Sequence, residues 1–77
     1  MNTIKDTLEY IIKSITPDSE SVTVTERVDN DLTILEITAP EEITGQIIGK
    51  QGRIIKALRT IIGVSYPDSR FTIDIKN

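Results

Sequence analysis

Ile47-Ile48-Gly49-Lys50-Gln51-Gly52-Arg53-Ile54-Ile55 joins two apolar helical segments through a turn with glycine at both ends and Lys-Gln in the middle. Such a turn leaves backbone N–H groups open, sits at the positive N-terminal end of the following helix, and adds a lysine charge, so it is built to hold an anion. The glycine spacing alone says little. At average glycine usage a G-x-x-G arises by chance roughly 0.4 times in a chain of this length. The surroundings of the pair carry the weight.

Downstream, Arg53 to Ile62 fits a helix. At about 100° per residue, Ile54, Ile55, Ala57, Leu58, Ile61 and Ile62 fill one arc of about 160°, and Arg53, Lys56, Arg59 and Thr60 fill the rest. A basic helix face is ordinarily a solvated exterior. Here charge partition argues for more: Ile43 to Pro67 holds four basic residues and no acid, while the rest of the chain holds five basic residues against twelve acids. Cations concentrated beside an anion turn point to a nucleic-acid phosphate as the anion.

The stretch Gly45-Gln46-Ile47-Ile48-Gly49-Lys50-Gln51-Gly52-Arg53-Ile54-Ile55-Lys56-Ala57-Leu58-Arg59-Thr60 resembles the core of a KH domain, and closely the small bacterial single-KH proteins of the KhpA type. An aliphatic pair, G-K-x-G, a basic residue and further aliphatics follow without a gap, which is far more specific than the glycine pair. KH domains clamp about four nucleotides through such a loop. The resemblance implies that role for Gly49, Lys50, Gln51 and Gly52, with Arg53 and Lys56 adding charge and Ile47, Ile48, Ile54 and Ile55 supplying an aliphatic groove. Which isoleucines face the groove and which the core stays open at this level.

Outward from the turn, Pro40-Glu41-Glu42 starts the preceding short helix, with proline in its first turn and two carboxylates matching the dipole. Gly45 inside it costs about 1 kcal/mol relative to alanine, a cost that makes sense where something approaches the backbone closely. Beyond the basic helix, Gly63 is placed as its C-cap, Val64 to Ser69 as a loop, and Phe71, Ile73 and Ile75 alternate as a final strand. On that reading the last helix ends earlier than the alanine-rich extension common in the KhpA type.

Nearer the N-terminus, Ile4, Leu8, Ile11, Ile12 and Ile15 recur at helical spacing, with Thr3 or Asn2 as cap, Asp6 in the first turn, and Thr16-Pro17 as the stop. Ser21 to Val28 and Leu32 to Ala39 read as two strands of an antiparallel hairpin around Asp29-Asn30-Asp31, with Glu26 and Glu36 facing solvent. The order helix, strand, strand, helix, helix, strand is that of the type II KH arrangement. The expected class is α+β, a three-stranded sheet with three helices on one face, and residues 1–77 are expected to form a single KH domain.

Composition bounds the function. The 77 residues, 38% hydrophobic and 27% charged, suit one small domain of marginal stability, for which a partner helps. Cysteine and histidine are absent, which excludes disulfides, Cys or His metal sites, Cys nucleophiles and Ser-His-Asp triads. The Walker pattern fails, because Gln51 follows the lysine and Thr44 stands where its first glycine is needed. No enzyme, cofactor or metal is expected, and no membrane segment; the expected localisation is cytoplasmic. The net charge of −3 argues for weak binding through a local basic field. The expected partner is single-stranded RNA. A protein-interaction module with a KH fold and little nucleic-acid binding is the alternative, and single-stranded DNA a third reading. The surplus apolar arc implies a homodimer in which Ile55, Leu58 or Ile62 contributes, and the resemblance adds a larger KH-containing partner.

Overall fold

The computed structural model describes residues 3–16 and 19–76, with the side chain of Ser19 outside the description. Helix α1 spans Ile4–Ile15, strands β1 and β2 span Thr23–Asp29 and Leu32–Thr38, helices α2 and α3 span Glu41–Ile48 and Arg53–Ser65, and strand β3 spans Phe71–Lys76. Short 3-10 turns occupy Ser19–Ser21 and Lys50–Gly52. The element order and the α+β class are those the sequence implies.

Each boundary has a local cause. Thr3 accepts a hydrogen bond from the Asp6 N–H at 3.1 Å while the Asp6 carboxylate accepts one from the Thr3 N–H at 3.3 Å, a reciprocal capping box that satisfies two donors. The alternative cap, Asn2, and the expected stop at Pro17 lie outside the described residues; Thr16 closes the helix by donating its N–H to the Ile12 carbonyl at 3.1 Å. Asn30 and Asp31 both take positive φ, 51° and 68°, giving the two-residue turn whose twist suits an antiparallel pair. Pro40 stands just outside α2 as its N-cap, with Glu41 and Glu42 in the first turn.

The end of α3 departs from the sequence reading. Gly63 lies within the helix, which runs on through Val64 and Ser65 to a cap at Tyr66, whose N–H bonds to the Ile62 carbonyl at 2.9 Å. Pro67 supplies the stop, since the residue before proline is pushed out of helical conformation, and Tyr66 stands at φ −131°, ψ 66°. Glycine is tolerated inside a helix at a modest cost, so it does not end one that has packing on both sides of it. The Gly63 cap and the loop start at Val64 are therefore corrected, while the helix still ends before Pro67.

Strand β2 is central, antiparallel to β1 and parallel to β3. Register puts Val24 opposite Ile37 and Leu35 beside Ile73. These side chains bury one sheet face against Leu8 and Ile12 of α1, Ile43 and Ile47 of α2, and Ile55, Leu58 and Ile62 of α3, so all three helices cover the same face. Each fully buried isoleucine or leucine contributes about 1.5–3 kcal/mol relative to exposure. Glu26 and Val28 share that side by register but lie at the exposed end of β1. On the outer face Glu36 is partly covered and binds Lys76 Nζ at 2.5 Å and Arg27 Nε at 3.3 Å.

Candidate nucleic-acid interface

The turn between α2 and α3 is shaped by three residues in unusual backbone conformations. Gly49 stands at φ 77°, ψ 176°, a region essentially closed to residues other than glycine. A Cβ there would also lie 2.6 Å from Ile54 Cγ1 and 2.9 Å from Ile54 Cβ, so glycine is required both by conformation and by space. Gln51 and Gly52 follow in left-handed conformation, at φ 57°, ψ 25° and φ 74°, ψ 18°. Around Gly52 there is room: an added Cβ would meet only Ile55 Cγ2, at 3.9 Å.

The backbone donors divide between inside and outside. Gly49 donates to the Gly45 carbonyl at 2.9 Å, Gly52 to the Gly49 carbonyl at 3.1 Å, and Arg53 to the Lys50 carbonyl. Both glycine N–H groups are thus spent on the turn itself, and the glycines serve by shape. This narrows the expectation that all four N–H groups from Gly49 to Gly52 face an anion to those of Lys50 and Gln51. Helix α3 then opens with no capping side chain and no acid in its first turn, whereas Thr3 and Asp6 cap α1 and two glutamates flank the start of α2. Its positive end is left facing the turn.

Electrostatics reinforce the contrast. Lys50, Arg53, Lys56 and Arg59 are all exposed, and among the described residues none of them is in an ion pair. Arg53 Nη2 reaches only the Gln51 side-chain oxygen, at 3.4 Å. Among the described residues the ion pairs are elsewhere: Lys13 with Glu9 at 3.6 Å, and Arg27 and Lys76 on Glu36. The Lys76 hydrogen bond holds the Glu36 carboxyl below its ordinary value, against its partial burial and with help from Arg27. The cations by the turn therefore keep a field that reaches about 8–10 Å into solution at ordinary salt.

The isoleucines of the motif sort into two pairs. Ile47 and Ile55 stand in the core, Ile47 with no exposed surface, so neither can floor a groove, and the expectation for those two is corrected. Ile48 and Ile54 flank the turn at 37% and 39% exposure. Gly45 lies on the exposed side of α2 one turn before Gly49, with nothing within 4 Å of where a Cβ would stand. Ile48 and Ile54 thus offer apolar surface beside the turn, and Gly45 leaves α2 without a side chain one turn earlier. No aromatic joins them: Phe71 packs against the core, Tyr10 is exposed on α1, and the Tyr66 hydroxyl bonds to Thr7 Oγ1 at 2.5 Å and to the Thr3 carbonyl at 3.1 Å.

The wide apolar arc read from the sequence is two stripes. Ile55, Leu58 and Ile62 face inward and are buried; Ile54, Ala57, Ile61 and Val64 face outward, with Val64 77% exposed. Val64 was missed because the helix was ended at Gly63. The 3-4-3 spacing of the outward set was the available signal.

The family model for the KH domain of KhpA/KhpB matches residues 5–75. Among similar proteins, the RNA-binding protein KhpA of Clostridium perfringens is 42% identical over 59 residues, covering 77% of this chain and 79% of that one. Those of Thermotoga maritima and Treponema pallidum are 37% and 34% identical, covering 87% and 92% of this chain and 89% and 91% of theirs. No solved structure matches. With the match running through nearly every element and through the turn itself, the chain belongs to the KhpA/KhpB KH-domain family.

Proposed function

We propose that this chain binds short single-stranded RNA segments at the Gly49–Gly52 turn. The observation that carries the reading is a helix end with neither cap nor acid, behind a glycine-shaped turn and beside four cations without ion-pair partners among the described residues. Lys50 and the N–H groups of Lys50 and Gln51 hold sugar-phosphate, Arg53 and Lys56 add charge, and Ile48 and Ile54 give bases an apolar surface. The relatives named RNA-binding proteins support RNA over DNA. Without an aromatic at the turn, base stacking worth about 1–3 kcal/mol per base is missing, and sequence selectivity is weak. The domain is read as the whole of residues 1–77, working in the cytoplasm without cofactor or catalysis.

Replacing Lys50 and Gln51 by aspartates inverts the charge at the turn and leaves both glycines in place. Fluorescence anisotropy with a short RNA is expected to show binding weakened more than tenfold, with an unchanged circular dichroism spectrum. Undiminished binding by the folded variant would sink the site and favour a protein-interaction module.

Self-association is a second part of the reading, carried by the outward stripe of α3. Ile55, Leu58 and Ile62, the residues expected at a dimer contact, are core residues; Ala57, Ile61 and Val64 take their place, with Ile54 shared between stripe and groove. A second copy suits a stripe at heptad-like spacing, and two grooves on one strand gain avidity without new contacts. A larger KH-containing protein could use the same stripe. Sedimentation equilibrium at micromolar concentration is expected to show a dimer, and Ile61→Lys a monomer with intact secondary structure. A monomeric wild type would remove self-association from the reading.

A further inference from the structure

Helix α3 has a third face. On the arc left between the two apolar stripes lie Arg53, Lys56, Arg59, Thr60 and Gly63, with Arg53 bordering the outward stripe and Arg59 the inward one. At 1.5 Å per residue, Arg53, Lys56 and Arg59 climb the helix in steps of about 4.5 Å, so the charge continues about 9 Å beyond the turn. The turn as read above accounts for the upper end of this ridge. It gives no work to Arg59 or to Gly63.

Nothing in the fold asks for those two residues. Arg59 is exposed and, among the described residues, in no ion pair. Like charges at three-residue spacing also destabilise a helix by a few tenths of a kcal/mol each, roughly. Gly63 is helical, and nothing lies within 4 Å of where its Cβ would be. It has none of the steric need that fixes Gly49. One turn past Arg59, it leaves a bare patch of helix backbone at the foot of the ridge. A cation next to a gap suits a chain of phosphates and sugars lying against the helix.

We propose that a single-stranded nucleic acid held at the turn continues down this face of α3, with Arg59 contacting a further phosphate and Gly63 leaving room for the sugar-phosphate backbone. The proposal rests on the turn reading and extends the occupied length beyond the roughly four nucleotides that a KH loop clamps.

The test compares uridine tetramer and decamer RNAs on wild type and Arg59→Gln, by NMR titration across a salt series. On the decamer, Arg59→Gln is expected to weaken binding about three- to fivefold and to flatten the log–log salt dependence by about 0.7, the single-strand value for one phosphate. On the tetramer it is expected to change neither. Gly63→Glu, which places a carboxylate on the ridge and improves helix propensity, is expected to act in the same sense on the decamer alone. Equal losses on both lengths would overturn the proposal by assigning Arg59 to the turn, and no loss on the decamer would return the ridge to solvent. A wild type that ignores the tetramer, while its decamer binding still depends on Arg59, would strike the turn reading and with it this continuation from the turn, leaving Arg59 to a separate contact.

Discussion

Two turns of this molecule use the same backbone device for opposite ends. At Asn30-Asp31 two successive left-handed residues reverse the chain between β1 and β2; at Gln51-Gly52 two more reverse it between α2 and α3. The hairpin turn carries acids at Asp29 and Asp31 and joins strands that already pair along their whole length. The helical turn joins two helix ends, carries only positive charge, and depends on a third residue, Gly49, in a conformation open to glycine alone. Left-handed backbone therefore marks a turn and nothing more. An anion site needs in addition a helix end without its own acceptors and cations without partners.

The largest expected effect is at the residue the hairpin lacks. Gly49→Ala meets both a forbidden conformation and Ile54, and is expected to lose roughly 2–4 kcal/mol in urea denaturation, most of the stability of a domain of this size. Gly52→Ala, with room for its methyl, is expected to lose about 1–2 kcal/mol, the ordinary cost of a left-handed alanine. Equal losses at the two glycines would erase the distinction drawn between them. At the hairpin, Asp31→Gly creates the favoured Asn-Gly pair and is expected to stabilise by about 0.5–1 kcal/mol while leaving RNA affinity unchanged. An altered affinity would mean that the acidic turn also takes part in binding.

The smallest effect concerns acid. Lys76 and Arg27 lower the carboxyl of Glu36 from its ordinary 4.5, so the stability it contributes is fully present above that value and is lost as pH falls through the lower folded-state value. Thermal midpoints of wild type and Glu36→Gln are expected to differ at neutral pH and converge below about pH 4.5. A constant gap across that range would show that the carboxylate contributes nothing as an ion.

How much could be read from the chain follows from range. The glycine turn, the cap of α1 and the Asn30-Asp31 reversal are decided by residues within a few positions of one another and were legible, although Asn2 stood beside Thr3 as a cap and the reciprocal bond between Thr3 and Asp6 was not read. Gly63 was misread because a local stop signal was weighed without the packing on either side of it, which carries the helix on to Ser65. The isoleucines could not be sorted because Ile47 and Ile48, like Ile54 and Ile55, are chemically identical neighbours. Which of each pair is buried is decided by the core that the sheet and the three helices build together, in which Ile47 and Ile55 take part. Glu36 reads as solvent-facing in the sequence, yet its side chain is only 14% exposed and pairs with Arg27 and Lys76, cations from two different strands.

The Tyr66 hydroxyl fastens positions 59 and 63 residues apart along the chain. Closing a loop of that length costs on the order of 3–4 kcal/mol in chain entropy, whereas a hydrogen bond returns about 1 kcal/mol. The contact cannot initiate anything; it forms after the sheet and the helices have brought the two ends together. It belongs to the descent from the folding barrier, and such late contacts set how long the native state lasts more than how quickly it is reached. The tyrosine that closes α3 onto the start of α1 is thus a brake on unfolding, acting at the far end of α3 from the turn.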